Sequence, residues 1–315
     1  VKIQDGCDRF CSYCIIPYAR GHIRSRNPKK IIEEIENIAK QGIKEVVLTG
    51  IHLASYGKDF TDETAREYRK QYNYNEEYKK YTPNDDLASG GFRLIEILEQ
   101  INKVKGIERI RLGSIEPKLI TEEFVTRISK LEKICHHFHL SLQSGCDETL
   151  KRMNRRYTTE DFRTICKILR AAYRDVIFTT DIIVGFPGET EEEFNQTYEF
   201  LKEIKMYKMH IFKYSPKRGT AATKFKNQID SKIKDERSKI LLELSDKNET
   251  EYNETYINKT VTVLFEEAEN GYFKGHTGNY LAVKVKTDKD LTDKLLKVKI
   301  DKLEKLELVG TLVEE

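Results

Sequence analysis

The sequence predicts an α/β protein in two parts: a parallel β/α barrel of six strand–helix units over residues 1–225, and a small all-β barrel over 255–315. Three observations predict it. Six short apolar runs alternate with helical patterns up to residue 214, as parallel β/α architecture requires. One of those runs, 137–143, puts His139, Ser141 and Gln143 on one face and Phe138, Leu140 and Leu142 on the other. Beyond residue 255 the helical period gives way to short strands with Gly and Asn turns. The alternation alone leaves an open doubly wound sheet as the competing architecture. The polar face favours the barrel, whose lumen can hold a ligand, over a sheet packed on both sides.

The elements follow in order. "VKIQ" (1–4) is a strand. Asn27 and Pro28 give an N-cap and a first-turn proline. Ile31, Ile32, Ile35, Ile38 and Ala39 continue at helical spacing, and Gly42 ends the helix. "EVVLTG" (45–50) is a buried strand, 93–104 a helix, and "RIRLGS" (109–114) a strand. Thr121 opens another helix before the strand at 137–143. Phe162, Ile165, Cys166, Leu169 and Tyr173 form one stripe of a helix over 159–173. "VIFTTDIIVG" (176–185) is a strand, and "TEEE" (190–193) is a capping box opening a helix to about 204. "MHIFKY" (209–214) is the sixth strand. Residues 58–91 interrupt this rhythm as a polar, Tyr-rich insertion (Tyr68, Tyr72, Tyr74, Tyr78, Tyr81), read as partly helical and solvated, with tyrosines stacking on bases as the alternative. Residues 226–254 are charged and helix-prone, a connector.

Composition narrows the class. The charged fraction is 34%, the hydrophobic fraction 38% and the net charge +3. No apolar run approaches the ~18 residues of a membrane span, and no signal-peptide pattern is present. Basic residues concentrate at 1–30 and 208–234, which leaves a polyanion partner open. From residue 255 on, charge is balanced. Three of six cysteines cluster while Cys135, Cys146 and Cys166 are scattered, which suits a reducing cytoplasm better than a disulfide framework. The seven histidines form no metal pattern and are read as structural or RNA-facing.

The cluster is "CDRFCSYC", with Cys7, Cys11 and Cys14. A closed structural zinc site takes four ligands, usually as two paired knuckles, and the second pair is missing. Cys166 lies on an apolar stripe. Three thiolates at this spacing suit three irons of a [4Fe–4S] cluster, with the fourth iron open to substrate or cofactor. The motif follows the first strand, and in β/α barrels the C-terminal strand ends carry the chemistry.

This spacing, with Tyr13 before the last cysteine, matches the radical S-adenosylmethionine (SAM) signature. Together with "VKIQDGCDRFCSYCIIPYARGHIRSR", "VVLTGIHLASYG", "RIRLGSIEPKLI", "HLSLQSGCDETLKRMNRRYT" and "TTDIIVGFPGETEEEF", the chain resembles the radical SAM methylthiotransferases. The wording is nearest to the branch acting on N6-threonylcarbamoyladenosine (t6A) beside the tRNA anticodon. These motifs span residues 1 to about 220, and the last ~60 residues resemble the family's TRAM RNA-binding barrel. The resemblance implies a partial (β/α)6 radical SAM barrel, a [4Fe–4S] cluster, SAM, tRNA as partner and an electron donor such as flavodoxin or ferredoxin. The family also has an N-terminal domain with three further cysteines for a second [4Fe–4S] cluster. Nothing precedes Val1 in this sequence, so the expectation is a chain that binds SAM and one cluster without inserting sulfur unaided. A ribosomal-protein aspartate methylthiotransferase and a non-catalytic Fe–S RNA-binding protein are the competing functions.

The resemblance also suggests roles. Cys7, Cys11 and Cys14 ligate the cluster, and Tyr13 packs beside it near the adenine or else only packs the loop. Thr49 and Gly50 offer backbone acceptors to the SAM amino group, with a plain turn glycine as the alternative, and Arg155 is the candidate for its carboxylate, with an exposed arginine on a helix-entry loop as the alternative. Ser141 and Gln143 face the ribose or methionine part, or else satisfy the core. Gly185 and Gly188 permit close approach to adenine. Asp181 binds the ligand or a barrel arginine, and Glu116 shares that ambiguity. Lys213, Lys217 and Arg218 form a basic lip toward RNA.

Overall fold

The structure, a computed structural model, describes residues 1–71 and 92–313. Six parallel strands form one curved wall: β1 (Lys2–Asp5), β3 (Glu45–Gly50), β4 (Arg109–Leu112), β5 (His137–His139), β6 (Ile177–Val184) and β7 (Lys208–Lys213). Each pairs with its neighbour in that order. The β4–β5 junction is made by the parallel bridges Ile110↔Ile134 and Ile115↔Leu140. Spatial order equals sequence order, so there is no topological switch point, and the doubly wound alternative falls away. The wall is open. Among the described residues β7 does not pair with β1, whose free edge carries the short antiparallel β2 (Arg24–Ser25).

Strand alternation sorts the side chains. Val46, Leu48, Phe138, Leu140, Ile182 and Met209 are buried in one core with the helices. The intervening Val47, Thr49, His137, His139, Thr179, Asp181, His210 and Phe212 therefore face the lumen. The helices run α1 (Ile16–Arg20), α2 (Pro28–Lys40), α3 (Asp62–Gln71), α4 (Leu94–Ile101), α5 (Glu122–Ile128), α6 (Asp147–Arg152), α7 (Thr159–Ala172), α8 (Glu191–Ile204) and α9 (Ser231–Glu254). Helix α2 starts where Asn27 accepts from the Lys29 and Lys30 amides. Helix α7 (Thr159–Ala172) starts with a reciprocal Thr158–Asp161 box, and α8 (Glu191–Ile204) with the Thr190–Glu193 box. Each such cap contributes about 1 kcal/mol.

Three expectations need correction. The regular ladder of β5 spans only 137–139 and pairing with β6 resumes at the bridge Gln143↔Ile182, because the Tyr157 hydroxyl bonds to the Ser141 and Leu142 carbonyls and Gln143 has φ +71°, which together break the strand in between. The insertion begins as packed structure. Its helix α3 (Asp62–Gln71) buries Tyr68 between Phe60 and Phe92, where Asn27 donates to the tyrosine hydroxyl. Tyr72, Tyr74, Tyr78 and Tyr81 lie outside the described residues. The segment 226–254 contains α9 (Ser231–Glu254), which is more than a connector. Leu241 and Leu244 enter the core beside β7, and Ser245 Oγ accepts from the Met209 amide. Leu241→Ala would cost about 2–5 kcal/mol.

Strands β8 (Thr260–Glu269), β9 (Tyr272–Thr277), β10 (Ala282–Lys286), β11 (Leu295–Glu304) and β12 (Glu307–Leu312) close a separate barrel in the order β10-β12-β11-β8-β9. Val263, Phe265, Val283, Val298, Ile300 and Leu308 fill it. It docks on the N-terminal ends of the large barrel's strands. Arg109, which opens β4, donates to the His276 and Thr262 carbonyls at 2.8 and 2.9 Å. Ile177 and Tyr207 share the small barrel's core. The Tyr280 ring stacks on His137, centroids 4.7 Å apart. One end of the large lumen is thus capped by the chain itself, and the C-terminal strand ends are left to the site.

Candidate functional site

The loop after β1 carries the three cysteines, all half-buried free thiols. It is held at several points. The Cys7 amide donates to the Gly21 carbonyl (3.1 Å), and Ser12 donates through its amide to Met153 and through its hydroxyl to Arg152. The Ala222 amide donates to the Ser12 carbonyl, and the Asn154 side chain to the Phe10 carbonyl. Gly6, at φ +71°, lets the loop cross His22, since a Cβ there would sit 1.9 Å from the His22 carbonyl oxygen. Burial raises the Cys7 and Cys14 thiols above the ordinary range, so a bound metal is what would hold them as thiolates. Among the described residues no three His, Cys, Asp or Glu side chains converge closely enough for a single ion. Three thiols on one short loop are the donor set that three irons of a [4Fe–4S] cubane take, one thiolate each.

A charged network surrounds the loop. Arg155 Nη1 donates to Cys11 Sγ at 3.2 Å, its Nε to the Tyr157 hydroxyl, and its Nη2 to the Ser141 carbonyl. Glu116 is buried, with Arg9 Nη2 at 2.6 Å and His52 Nε2 at 2.7 Å. Burial alone would raise its pKa. The hydrogen bond and charge of His52, with Arg9 and Arg155, outweigh that and bring it down to about 2. Gln4 ties β1 to β3, donating to the Gly6 carbonyl and accepting from the His52 amide.

The site residues expected from sequence gather at this end to different degrees. Ser141, Gln143 and Arg155 lie together: Ser141 is bonded to Arg155, and the Gln143 amide donates to the Asp181 carbonyl. Gly50 ends β3 against the Gln4 side chain, and Thr49 is exposed on the lumen face. Tyr13 packs edge-on against Phe186, in a cluster with Tyr214 and Ala222. The space a Cβ would claim at Gly185 (φ +68°) is filled by the Lys234 stem at 2.3 Å. The Gly185 amide donates to Glu189, whose carboxylate also pairs with Arg237 at 2.6 Å. The Gly188 amide donates to the Asn227 carbonyl. Asp181 faces His139, not an arginine, at 3.2 Å. Lys217 and Arg218 are exposed on the loop after β7, while Lys213 pairs with Asp235 at 2.7 Å. Sequence reasoning missed Gln4, Arg9 and the placement of His52 at the site. Arg9 falls inside the cysteine motif, which was a usable signal.

A partial β/α barrel with a three-thiol loop at its strand ends defines a class of cofactor-dependent barrel proteins. Residues 1–201 match the Radical SAM superfamily, and the chain belongs to it. It is 40% identical over 306 residues to threonylcarbamoyladenosine tRNA methylthiotransferase MtaB of Bacillus subtilis, covering 95% of this chain and 61% of that protein. It is 35% identical over 316 residues to the tRNA-2-methylthio-N(6)-dimethylallyladenosine synthase of Acetivibrio thermocellus, covering 99% of this chain and 60% of that protein. The chain therefore spans about three fifths of the length of these curated relatives. Among solved structures, coproporphyrinogen III oxidase (HemN) from Escherichia coli, a radical SAM enzyme, aligns over 96% of this chain and 66% of its own, with TM-score 0.49 and 12% identity.

Proposed function

We propose that this chain is the catalytic part of a tRNA methylthiotransferase whose target is C2 of t6A. The observation that carries the reading is the Cys7–Cys11–Cys14 loop at the C-terminal strand ends, with Arg155 bonded to Cys11 and an open, polar lumen beneath. The cysteines hold a [4Fe–4S] cluster, and the cluster with SAM supplies the radical chemistry. The chain's own residues bind and orient. Arg155 takes the SAM carboxylate, and the Thr49 and Gly50 backbone takes the amino group. Ser141 and Gln143 meet the ribose or methionine part, while Tyr13 and the 185–188 turn flank the adenine. Lys217 and Arg218, with Lys213 beside them, meet the tRNA backbone.

The t6A branch is supported by the 40% identity to MtaB, against 35–38% for the relatives named for dimethylallyladenosine. Those relatives supply the second reading, a dimethylallyladenosine substrate. A flavodoxin or ferredoxin would deliver the electron. Among the described residues no helix is long and apolar enough to cross a membrane. The test compares tRNA nucleosides by mass spectrometry from cells with and without the gene. Loss of the 2-methylthio derivative of t6A is expected. Loss of the dimethylallyl derivative alone would overturn the t6A reading.

A further inference from the structure

The lumen wall formed by β5, β6 and β7 has a layered chemistry. Register pairs Ile183 with Phe212, Asp181 with His210, and Thr179 with His139. Neighbours on the other face, Ile182, Met209 and Phe138, are buried in the outer core, so these three rungs face inward. From the mouth downward they are an apolar rung, a charged rung and a hydrogen-bonding rung. Phe212 is 53% exposed although it lies inside the curve of the wall, so its ring is accessible from the lumen.

The lower rungs form a connected polar floor. The Thr179 hydroxyl lies 2.9 Å from His137 Nε2 and 3.0 Å from His139 Nδ1. His139 stacks on His210, centroids 5.7 Å apart. His139 Nε2 is buried, 3.2 Å from Asp181, yet outside hydrogen-bond geometry, as is the buried Nδ1 of His137. Beneath them, Tyr280 of the small barrel stacks on His137 under the Arg111 guanidinium. The floor thus offers both donors and acceptors, with bonding capacity left open.

We propose that His139, His210 and Asp181 are the specificity-determining residues for the substituent on the target adenine, and that they receive an N6-threonylcarbamoyl group. This rests on the function proposed above. The order of rungs follows the order of groups in such a nucleoside. The flat base lies against Phe212, since an aromatic face stacks on any base. The tail reaches the next two rungs. Its N–H and hydroxyl donate to Asp181, and its carbonyl and carboxylate accept from His210 and His139. A dimethylallyl tail would instead cover these groups with hydrocarbon and leave them unpaired, the arrangement by which a site built for polar groups rejects an apolar analogue.

The test measures equilibrium binding of three anticodon stem-loops, carrying t6A, N6-dimethylallyladenosine or plain adenosine, to the anaerobically reconstituted protein. The unsubstituted protein is expected to bind the t6A stem-loop about tenfold tighter than the plain one. His210→Phe, which keeps an aromatic ring, is expected to bring that preference close to one and to improve dimethylallyl binding, with the plain stem-loop changed less than about threefold. His139→Asn and Asp181→Asn, each checked by thermal melting, keep the result readable if one variant folds poorly. Retained t6A preference in all three variants would overturn the assignment of the selector and leave the proposed function standing. An unsubstituted protein that prefers the dimethylallyl stem-loop would overturn both.

Discussion

Arg155 Nη1 lies 3.2 Å from Cys11 Sγ, although 144 positions separate the two residues. The same guanidinium is fixed by Tyr157 and the Ser141 carbonyl. A planar cation is therefore held beside the cysteine loop, where a SAM carboxylate would need a partner. Arg155→Ala is expected to weaken SAM binding by about 10- to 100-fold, the loss of a charged hydrogen bond, and Arg155→Lys by less. Titration calorimetry on the reconstituted protein measures it, with iron content as the control. An alanine variant that binds SAM like the parent would remove Arg155 from the carboxylate.

The six thiols should react in two groups. Cys7, Cys11 and Cys14 are half-buried on the loop, whereas Cys135, Cys146 and Cys166 are buried. Burial pushes the Cys135 and Cys166 thiols up to about 12, so neither is a thiolate at neutral pH. Alkylation of the native apoprotein is expected to modify three cysteines, and reconstitution to block those three while adding about four irons per chain. About eight irons, or early labelling of Cys135 or Cys166, would assign the scattered cysteines a role they lack here.

Glu116 gives the site an acid limit. Its carboxyl is held at about 2, below the ordinary 4.5, chiefly because the His52 hydrogen bond and nearby positive charge outweigh burial. A depressed folded-state pKa adds stability that is fully present above about 4.5 and is lost as pH falls toward 2. The shift corresponds to roughly 3 kcal/mol. Glu116→Gln is expected to lower stability at pH 7 and to flatten its fall between pH 4.5 and 2, measured by urea unfolding at fixed pH values. Parallel curves for parent and variant would show that another group sets the acid limit.

What the sequence made legible was local. The three cysteines fall within eight residues, and the Asn27 and Thr190 caps act within one turn. The apolar runs located the six strands, but they left a doubly wound sheet open, and it took the polar face of 137–143 to favour the barrel. Long-range pairings were hidden: Glu116 meets His52 across 64 positions, and Gln4 meets His52 across 48. No periodicity reports such contacts. Strand 137–143 was overextended because its end is interrupted by Tyr157, a residue 15 and 16 positions downstream of the carbonyls it binds. Tyr68 looked solvated because its neighbours in sequence are polar, while its partners Phe60, Phe92 and Asn27 are not adjacent to it.

The loop after β7 should contribute to RNA affinity without touching SAM. Lys217 and Arg218 are exposed, and the loop is fixed by the Thr220 amide donating to the Lys217 carbonyl. It adjoins the cysteine loop, since a Cβ at Gly219 would lie 3.2 Å from Ile15. Lys213 is already engaged by Asp235, so its net attraction for phosphate is smaller. Each phosphate contact releases counterions, so losing one flattens the dependence of log affinity on log salt by about 0.7–0.9. Lys217→Glu with Arg218→Glu is expected to weaken tRNA binding and flatten that slope by about 1–2, while Lys213→Glu does less. SAM affinity should stay at the parental value in both variants, because neither side chain approaches Arg155 or the cysteines through any bond of the site. Filter binding across a salt series decides it, and unchanged tRNA affinity in the double variant at near-physiological salt would take this loop out of the interface.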